Sequence, residues 1–234
     1  MKHHILLSLV AVLIALPACG GGHNRVNGSV SIGAGEPADE LSTVNGGIEV
    51  KAGATAREVH SVNGGVKIGD SAHATSVATV NGGVSLGNHA EVREGIRTVN
   101  GAVSMDPSAR VGENISMVNG AVTLREGADV RGNLRNVNGR IDMRAAHVGG
   151  DLETVSGDIR VGANSRIGGG ILVKKQRGFS LLKRVPRVVI GPGAVVQGKL
   201  RFERRVKLYV SDSASTGPVQ GATAVKFSGA ELPD

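Results

Sequence analysis

The chain has 234 residues and a net charge of +7, with 36 glycines, 2% aromatic residues and a single cysteine, Cys19. One cysteine excludes an intrachain disulfide framework and a cysteine-based zinc site, and collagen is excluded because glycine does not recur at every third position. Abundant, periodic β-branched residues argue against disorder, and the length predicts one folded domain.

The first 18 residues are predicted to form a lipoprotein signal peptide. A short polar start with Lys2 precedes an apolar run over 5–16, which is too short to span a bilayer and typical of an export signal. The following Leu16-Pro17-Ala18-Cys19 resembles the bacterial lipobox. This resemblance implies cleavage before Cys19, attachment of lipid such as palmitate to that cysteine, and an anchor in the outer membrane facing the periplasm.

Residues 19–25 would then be the lipidated cysteine and a tether, which is flexible because it contains three consecutive glycines. The alternative is ordinary secretion. A secretory peptidase requires small residues three and one before the cleaved bond. Leu16 meets that requirement poorly for cleavage before Cys19, and cleavage after Gly20 fits it better.

The segment from 26 to 173 is built on a repeated Val-Asn-Gly phrase. The phrase recurs at steps of 18 or 19 residues, starting at Val26, Val44, Val62, Val80, Val99, Val118 and Val137, with a Val-Ser-Gly variant at Val155. Self-similarity at a short fixed period is typical of a solenoid, in which each repeat buries its apolar side against its neighbours.

Each repeat divides into three groups of six residues with apolar residues at places one and five. In the repeat from 62 to 79 these are Val62, Val66, Ile68, Ala72, Ala74 and Ala78. Because residues i and i+2 of a strand share a face, we predict three short strands per coil, with Lys67, His73 and Thr79 pointing outward. The extra residue of each 19-residue coil, at Thr98, Met117 and Asn136, is predicted at the corner before the next Val-Asn-Gly.

The predicted fold is therefore all-β, a single-stranded parallel β-helix with triangular coils of 18–19 residues. Glycine and asparagine at the remaining positions suit the corners. The aligned asparagines allow two interpretations: a column of amides that bond to each other and to corner backbone groups, which we favour, or a polar ladder that grips a ligand.

Nothing in the repeats predicts a catalytic, metal or cofactor site. The histidines that follow the signal peptide lie in different coils without the short spacing of metal ligands, at His23, His60, His73, His89 and His147. Carboxylates such as Asp129 and Asp142 are predicted to be surface residues. No serine has a histidine and aspartate arranged to activate it. We therefore predict that the protein is not an enzyme.

The basic character of the chain lies near its C-terminus, where residues 174–208 contain eleven Lys or Arg and one acid, Glu203. Residues 174–187 break the period around Phe179, Leu181 and Leu182 and are predicted to be a basic insertion loop. Its candidate anion-binding residues are Lys174, Lys175, Arg177, Lys183, Arg184 and Arg187. The loop would contact anionic lipid headgroups or an anionic envelope polymer, or else cap the end of the solenoid.

Nucleic acid is not expected as a partner of this basic region, because the chain carries an export signal. The period resumes at 188, and residues 188–210 are predicted to complete the terminal coils. In that stretch Arg204 falls on the apolar face of the alternating pattern. Residues 211–234, rich in Ser, Gly, Ala and Pro, are predicted to be a flexible tail.

Two phrases resemble the bactofilins, which are polymer-forming bacterial proteins with a right-handed triangular β-helix. They are Ile190-Gly-Pro-Gly-Ala-Val-Val-Gln-Gly and Ala128-Asp-Val-Arg-Gly-Asn-Leu134. Thr154-Val-Ser-Gly-Asp-Ile-Arg-Val161 also resembles bacterial adhesin-like repeats of unknown function. The resemblance covers roughly residues 44–200 and implies a right-handed winding. The six-residue period also matches the left-handed hexapeptide acyltransferases.

The bactofilins act mainly at the cytoplasmic face of the membrane, whereas this chain carries an export signal. We therefore expect a non-catalytic, structural or scaffolding lipoprotein of the cell envelope that self-associates end to end. The alternative is an adhesin-like binding module that uses the basic patch to hold an anionic envelope polymer or lipid headgroups.

Overall fold

The computed structural model describes residues 23–175 and 184–229, which contain β-strands and turns but no helix. The strands are short because the chain turns a corner every few residues. In chain order they are β1 (His23–Asn27), β2 (Val30–Ile32), β3 (Pro37–Asn45), β4 (Ile48–Val50), β5 (Thr55–Asn63), β6 (Val66–Ile68), β7 (His73–Asn81), β8 (Val84–Leu86), β9 (Glu91–Val92), β10 (Ile96–Asn100), β11 (Val103–Met105), β12 (Arg110–Val111), β13 (Ile115–Asn119), β14 (Val122–Leu124), β15 (Asp129–Val130), β16 (Leu134–Asn138), β17 (Ile141–Met143), β18 (His147–Val148), β19 (Leu152–Thr154), β20 (Ile159–Val161), β21 (Arg166–Ile167), β22 (Ile171–Val173), β23 (Arg187–Ile190), β24 (Val195–Val196), β25 (Leu200–Phe202), β26 (Lys207–Ser211), β27 (Ser215–Thr216), β28 (Val219–Gln220) and β29 (Ala224–Phe227).

These strands stack in parallel to form a three-sided solenoid. The first side, which follows each Val-Asn-Gly, is an 11-stranded sheet from β2 to β29. The second and third sides form an 18-stranded sheet, because in the early coils one nine-residue strand such as β7 covers both sides. From β9 onward the two sides are separate strands. The predicted all-β parallel β-helix of 18–19 residues per coil is confirmed, and its right-handed winding stays a prediction.

The core is a narrow apolar column enclosed by the three sides. In the coil of β11, β12 and β13 every inward side chain is at most 3% exposed: Val103, Met105, Ala109, Val111, Ile115 and Met117. Ser104, Arg110 and Ser116 alternate with them and point outward. Complete burial of each Val, Ile or Met contributes about 1.5–3 kcal/mol before conformational entropy is subtracted.

On the third side the inward and outward positions differ from the prediction by one residue. The valine of Val-Asn-Gly, predicted to be buried, is only half-buried at Val62, Val80, Val99 and Val118. The residue before it is buried instead, as at Ser61, Thr79, Thr98, Met117 and Asn136. Ala78 is likewise half-buried rather than in the core. Because alternate residues of a strand share a face, burial of Ile96 brings Thr98 inward and leaves Val99 outside.

The extra residue of the 19-residue coils also lies at a different corner from the one predicted. Thr98 pairs directly with Thr79, and Ile96 pairs with Val77, so no residue is inserted between them. The second and third sides are instead joined by 93–95 in the longer coil and by only Thr75 and Ser76 in the preceding one. The two-residue corner lets β7 run through it as one strand.

The C-terminal part of the chain continues the solenoid beyond the predicted boundary. Residues 211–227, predicted to belong to a flexible tail, supply β27, β28 and β29, which pair in parallel with β24, β25 and β26. Phe227 is buried and Ala224 packs against the core, whereas the residues of a flexible tail would be exposed. Only 230–234 of the predicted tail fall outside the described residues.

Candidate functional site

The asparagines of the Val-Asn-Gly corners form one continuous hydrogen-bonded ladder. Each Nδ2 donates to the Oδ1 of the asparagine one coil earlier at 2.9–3.0 Å, linking Asn27, Asn45, Asn63, Asn81, Asn100, Asn119 and Asn138. The amides therefore bond to each other from coil to coil, as the structural interpretation predicted. From the second coil onward, packing requires the glycine that follows each asparagine, since a Cβ at Gly101 would lie 2.0 Å from the carbonyl oxygen of Gly82.

A second polar column lies inside the core, one position before the corner valine in most coils; in one coil Met117 takes this position. Hydroxyls at this position donate to a glycine carbonyl of the preceding coil, as from Thr79 to Gly64 at 3.2 Å and from Thr98 to Gly82 at 3.3 Å. Asn136 uses its Nδ2 in the same way, toward Gly120 at 2.9 Å. These bonds satisfy corner carbonyls that would otherwise be buried without a partner. Sequence analysis missed this role because it placed Thr98 and Asn136 at a corner.

The basic insertion leaves the solenoid at the same corner as the asparagine ladder. Lys174 and Lys175 follow β22, whereas Arg184 and Arg187 stand at the return into β23. Arg177 and Lys183 lie outside the described residues. The structure thus brings four of the six predicted anion-binding residues to one corner, on the two sides of the insertion.

Two of these four cations are engaged by acidic side chains of the preceding coil. Lys174 pairs with Glu153, and Arg184 pairs with Asp158. Asp158 also accepts a hydrogen bond from the backbone N–H of Arg187 at 3.0 Å, and the Arg187 guanidinium lies 5.1 Å from the ring centroid of Tyr209. These contacts use the charges to hold the base of the insertion. Anion binding by this patch stays a prediction.

Arg204 holds the same corner from the following coil. Its guanidinium donates to the carbonyl oxygens of Val155 at 3.0 Å and Arg184 at 2.9 Å. The sequence alone contains a signal for Arg204 and for Asp158, the two residues that anchor this corner. Arg204 interrupts the apolar face of an alternating stretch, and Asp158 occupies a position that is glycine or alanine in most repeats.

The two ends of the solenoid carry the exposed large apolar side chains of the described chain. Val26 in the first coil is 60% exposed, and Val219 and Val225 in the last coil are 38% and 51% exposed. At the N-terminal end all five residues of β1 are exposed, and β1 pairs with β3 in a register that places His23 beside Leu41. The first coil therefore presents polar His23 at a position that is apolar in the next coil.

On the outer surface of the second side, histidine or arginine alternates with an acidic residue from coil to coil. His73 lies 3.4 Å from Glu91, and His147 Nδ1 lies 2.6 Å from Asp129 Oδ1. Arg110 stands between Glu91 and Asp129 in the register. Such cross-strand pairs between neighbouring coils stabilise the stack modestly. Within residues 23–175 and 184–229, no group of three or more His, Cys, Asp or Glu side chains is placed to hold a metal ion.

Comparison with known proteins adds no assignment. No family model matches the chain, and neither the curated proteins nor the solved structures give a match. In the described part of the chain, no helix has the length and apolarity needed to cross a membrane. The predicted signal peptide and Cys19 lie outside the described residues.

Proposed function

We propose that the protein is a non-catalytic structural rod of the cell envelope, held to a membrane by lipid on Cys19 and joined to other copies through its ends. The proposal combines the lipobox-like sequence at 16–19 with the uniform coils that follow it. Its main support is the position of the exposed large apolar side chains, which among the described residues are confined to the first and last coils.

The use of polar residues supports a structural role. The recurring asparagines bond to each other, and the buried hydroxyls bond to glycine carbonyls of the neighbouring coil. Polar groups that recur at the same position in successive coils and satisfy the scaffold are not a set assembled around a substrate. The side-chain contacts of the second side, between His73 and Glu91 and between His147 and Asp129, likewise connect coil to coil.

The terminal coils support contact between copies. A parallel solenoid ends in strands whose outer backbone groups have no neighbour, and such edges pair readily with another chain. In the last coil β28 pairs with β25 and β29 with β26, which leaves their outer edges open within the described chain. Val219 continues the inward column of Leu200 and is partly exposed at this end.

Replacing Val219 by lysine is expected to reduce self-association at least about tenfold, because a charge at the joint must be desolvated when copies stack. The matched control is Ser104→Lys, which adds the same charge to the outward face of a middle coil. Sedimentation velocity and negative-stain microscopy over a concentration series measure the assembled fraction. A wild-type protein that stays monomeric throughout would contradict end-to-end joining, as would equal assembly of the two variants.

A further inference from the structure

Each of the seven Val-Asn-Gly corners contains an Asn-Gly dipeptide, the sequence in which asparagine loses its side-chain amide most readily. The backbone nitrogen after the asparagine attacks the side-chain Cγ, and glycine hinders this attack least because it has no Cβ. Whether a given Asn-Gly reacts depends on what its glycine N–H and its side-chain amide are bonded to in the fold.

At most of these corners the N–H of the attacking glycine nitrogen is hydrogen-bonded to the next coil. The glycine N–H donates to the carbonyl oxygen of the asparagine one coil later at 2.8–3.1 Å, and this holds for Gly28, Gly46, Gly82, Gly101 and Gly120. The Oδ1 of the preceding asparagine accepts a ladder hydrogen bond at the same time. Attack at these corners requires breaking bonds of both kinds.

The ladder ends at Asn138, because the next coil has Ser156 in place of asparagine. Strand pairing toward that coil stops at Asn136 and Thr154. The N–H groups of Val155 and Ser156 both turn to the carbonyl oxygen of Val137. Within the described chain the Gly139 N–H therefore has no acceptor, and the Asn138 Oδ1 has no donor. Asn138 itself is exposed.

We propose that Asn138 is a site of spontaneous deamidation in the folded protein, selected because it terminates the ladder. The Gly139 nitrogen forms a bond to Asn138 Cγ, the Cγ–Nδ2 bond breaks, and ammonia leaves with the proton of the Gly139 N–H. Water then opens the resulting succinimide at either carbonyl to give aspartate or isoaspartate. The product lacks the Nδ2 that donates to Asn119 Oδ1 at 2.9 Å, so the modification also shortens the ladder by one bond.

Asn63 has one of the two protective hydrogen bonds and lacks the other, so its rate shows the effect of each. Gly64 resembles Gly139 in having no backbone acceptor for its N–H within the described residues. Asn63 Oδ1 nevertheless accepts a hydrogen bond from Asn81 at 2.9 Å. Asn63 is therefore expected to react at a rate between that of Asn138 and those of Asn100 and Asn119.

The test is to incubate the full chain at mildly alkaline pH and follow each Asn-Gly by peptide mapping with mass spectrometry. Asn138 is expected to deamidate about fivefold to a hundredfold faster than Asn100 or Asn119, the factor for two net hydrogen bonds. The same chain in concentrated urea is the control, and there the preference for Asn138 is expected to disappear.

A second variant tests the cause. Ser156→Asn restores an asparagine at the next corner and is expected to slow deamidation of Asn138 toward the rate of Asn63, because it restores the side-chain contact but not an acceptor for the Gly139 N–H. Equal rates at Asn138, Asn100 and Asn119 in the folded protein would overturn the proposal. An unchanged Asn138 rate in Ser156→Asn would also overturn it, because the end of the ladder would then not be what selects this residue.

Discussion

Replacing Val122 by aspartate is expected to lower the free energy of unfolding by more than about 4 kcal/mol, whereas the same change at Val118 is expected to cost less than about 1 kcal/mol. The two valines stand four positions apart on the two sides of one corner, Val118 in β13 and Val122 in β14. Val122 is fully buried in the core column, and Val118 lies half-buried on the outer surface. A carboxylate at 122 has no polar partner in that column and must remain charged without water or become protonated.

Urea denaturation of both variants and the wild type measures the two differences. The comparison is internally controlled, because the substitution and the added charge are the same and the two sites flank one corner. A large loss at Val118 with a small loss at Val122 would place the corner valine in the core and contradict the inward positions of the third side. Equal losses would contradict the sidedness of the strands altogether.

Replacing Cys19 by alanine is expected to abolish incorporation of labelled palmitate into the protein. Under the proposed function, lipid would attach through a thioether to Cys19, and the chain has no other cysteine to replace it. Two or more acyl chains give stable anchoring, at about 0.8 kcal/mol for each buried CH₂. Loss of the thiol is therefore an all-or-none change rather than a partial weakening.

The measurement is metabolic labelling in a bacterial host, followed by detergent phase separation of the labelled protein. Gly21→Ala is the matched control, because it changes the tether and leaves the lipobox-like residues intact; it is expected to label like the wild type. Absence of label in the wild type would favour ordinary secretion and remove the membrane anchor from the proposed function.

The coil was predictable from the sequence because glycine, asparagine and apolar residues recur every 18 or 19 residues. The prediction from the sequence placed the inward column of the third side one residue too late, and the hydrogen bonds at the corners show why. Hydropathy favours Val99 over Thr98 for the core, but the carbonyl oxygen of Gly82 faces inward and requires a donor. The strand alternation that starts from buried Ile96 places Thr98 inside, and the hydrogen bond from its hydroxyl offsets the cost of burying Thr98 instead of Val99.

The basic corner was predictable only in part. The break in the period located the insertion, and its charges suggested an anion site. The groups that engage those charges are distant in sequence. Arg184 pairs with the carboxylate of Asp158, 26 residues away, and Arg204 donates to the carbonyl oxygen of Val155, 49 residues away. No local pattern records such contacts, because they arise from the stacking of coils that the insertion separates.

The stacking of one coil on the next is tested most directly by disulfide trapping in a Cys19→Ala background. Arg110 and Asp129 are register partners on adjacent strands, and adjacent strands lie about 4.8 Å apart, within the Cα separation that a disulfide bridges. Arg110→Cys with Asp129→Cys is expected to oxidise to an intrachain disulfide in the folded protein. Arg110→Cys with His147→Cys, one strand further away, is expected to stay reduced. A disulfide in the second pair and none in the first would contradict the parallel three-sided solenoid.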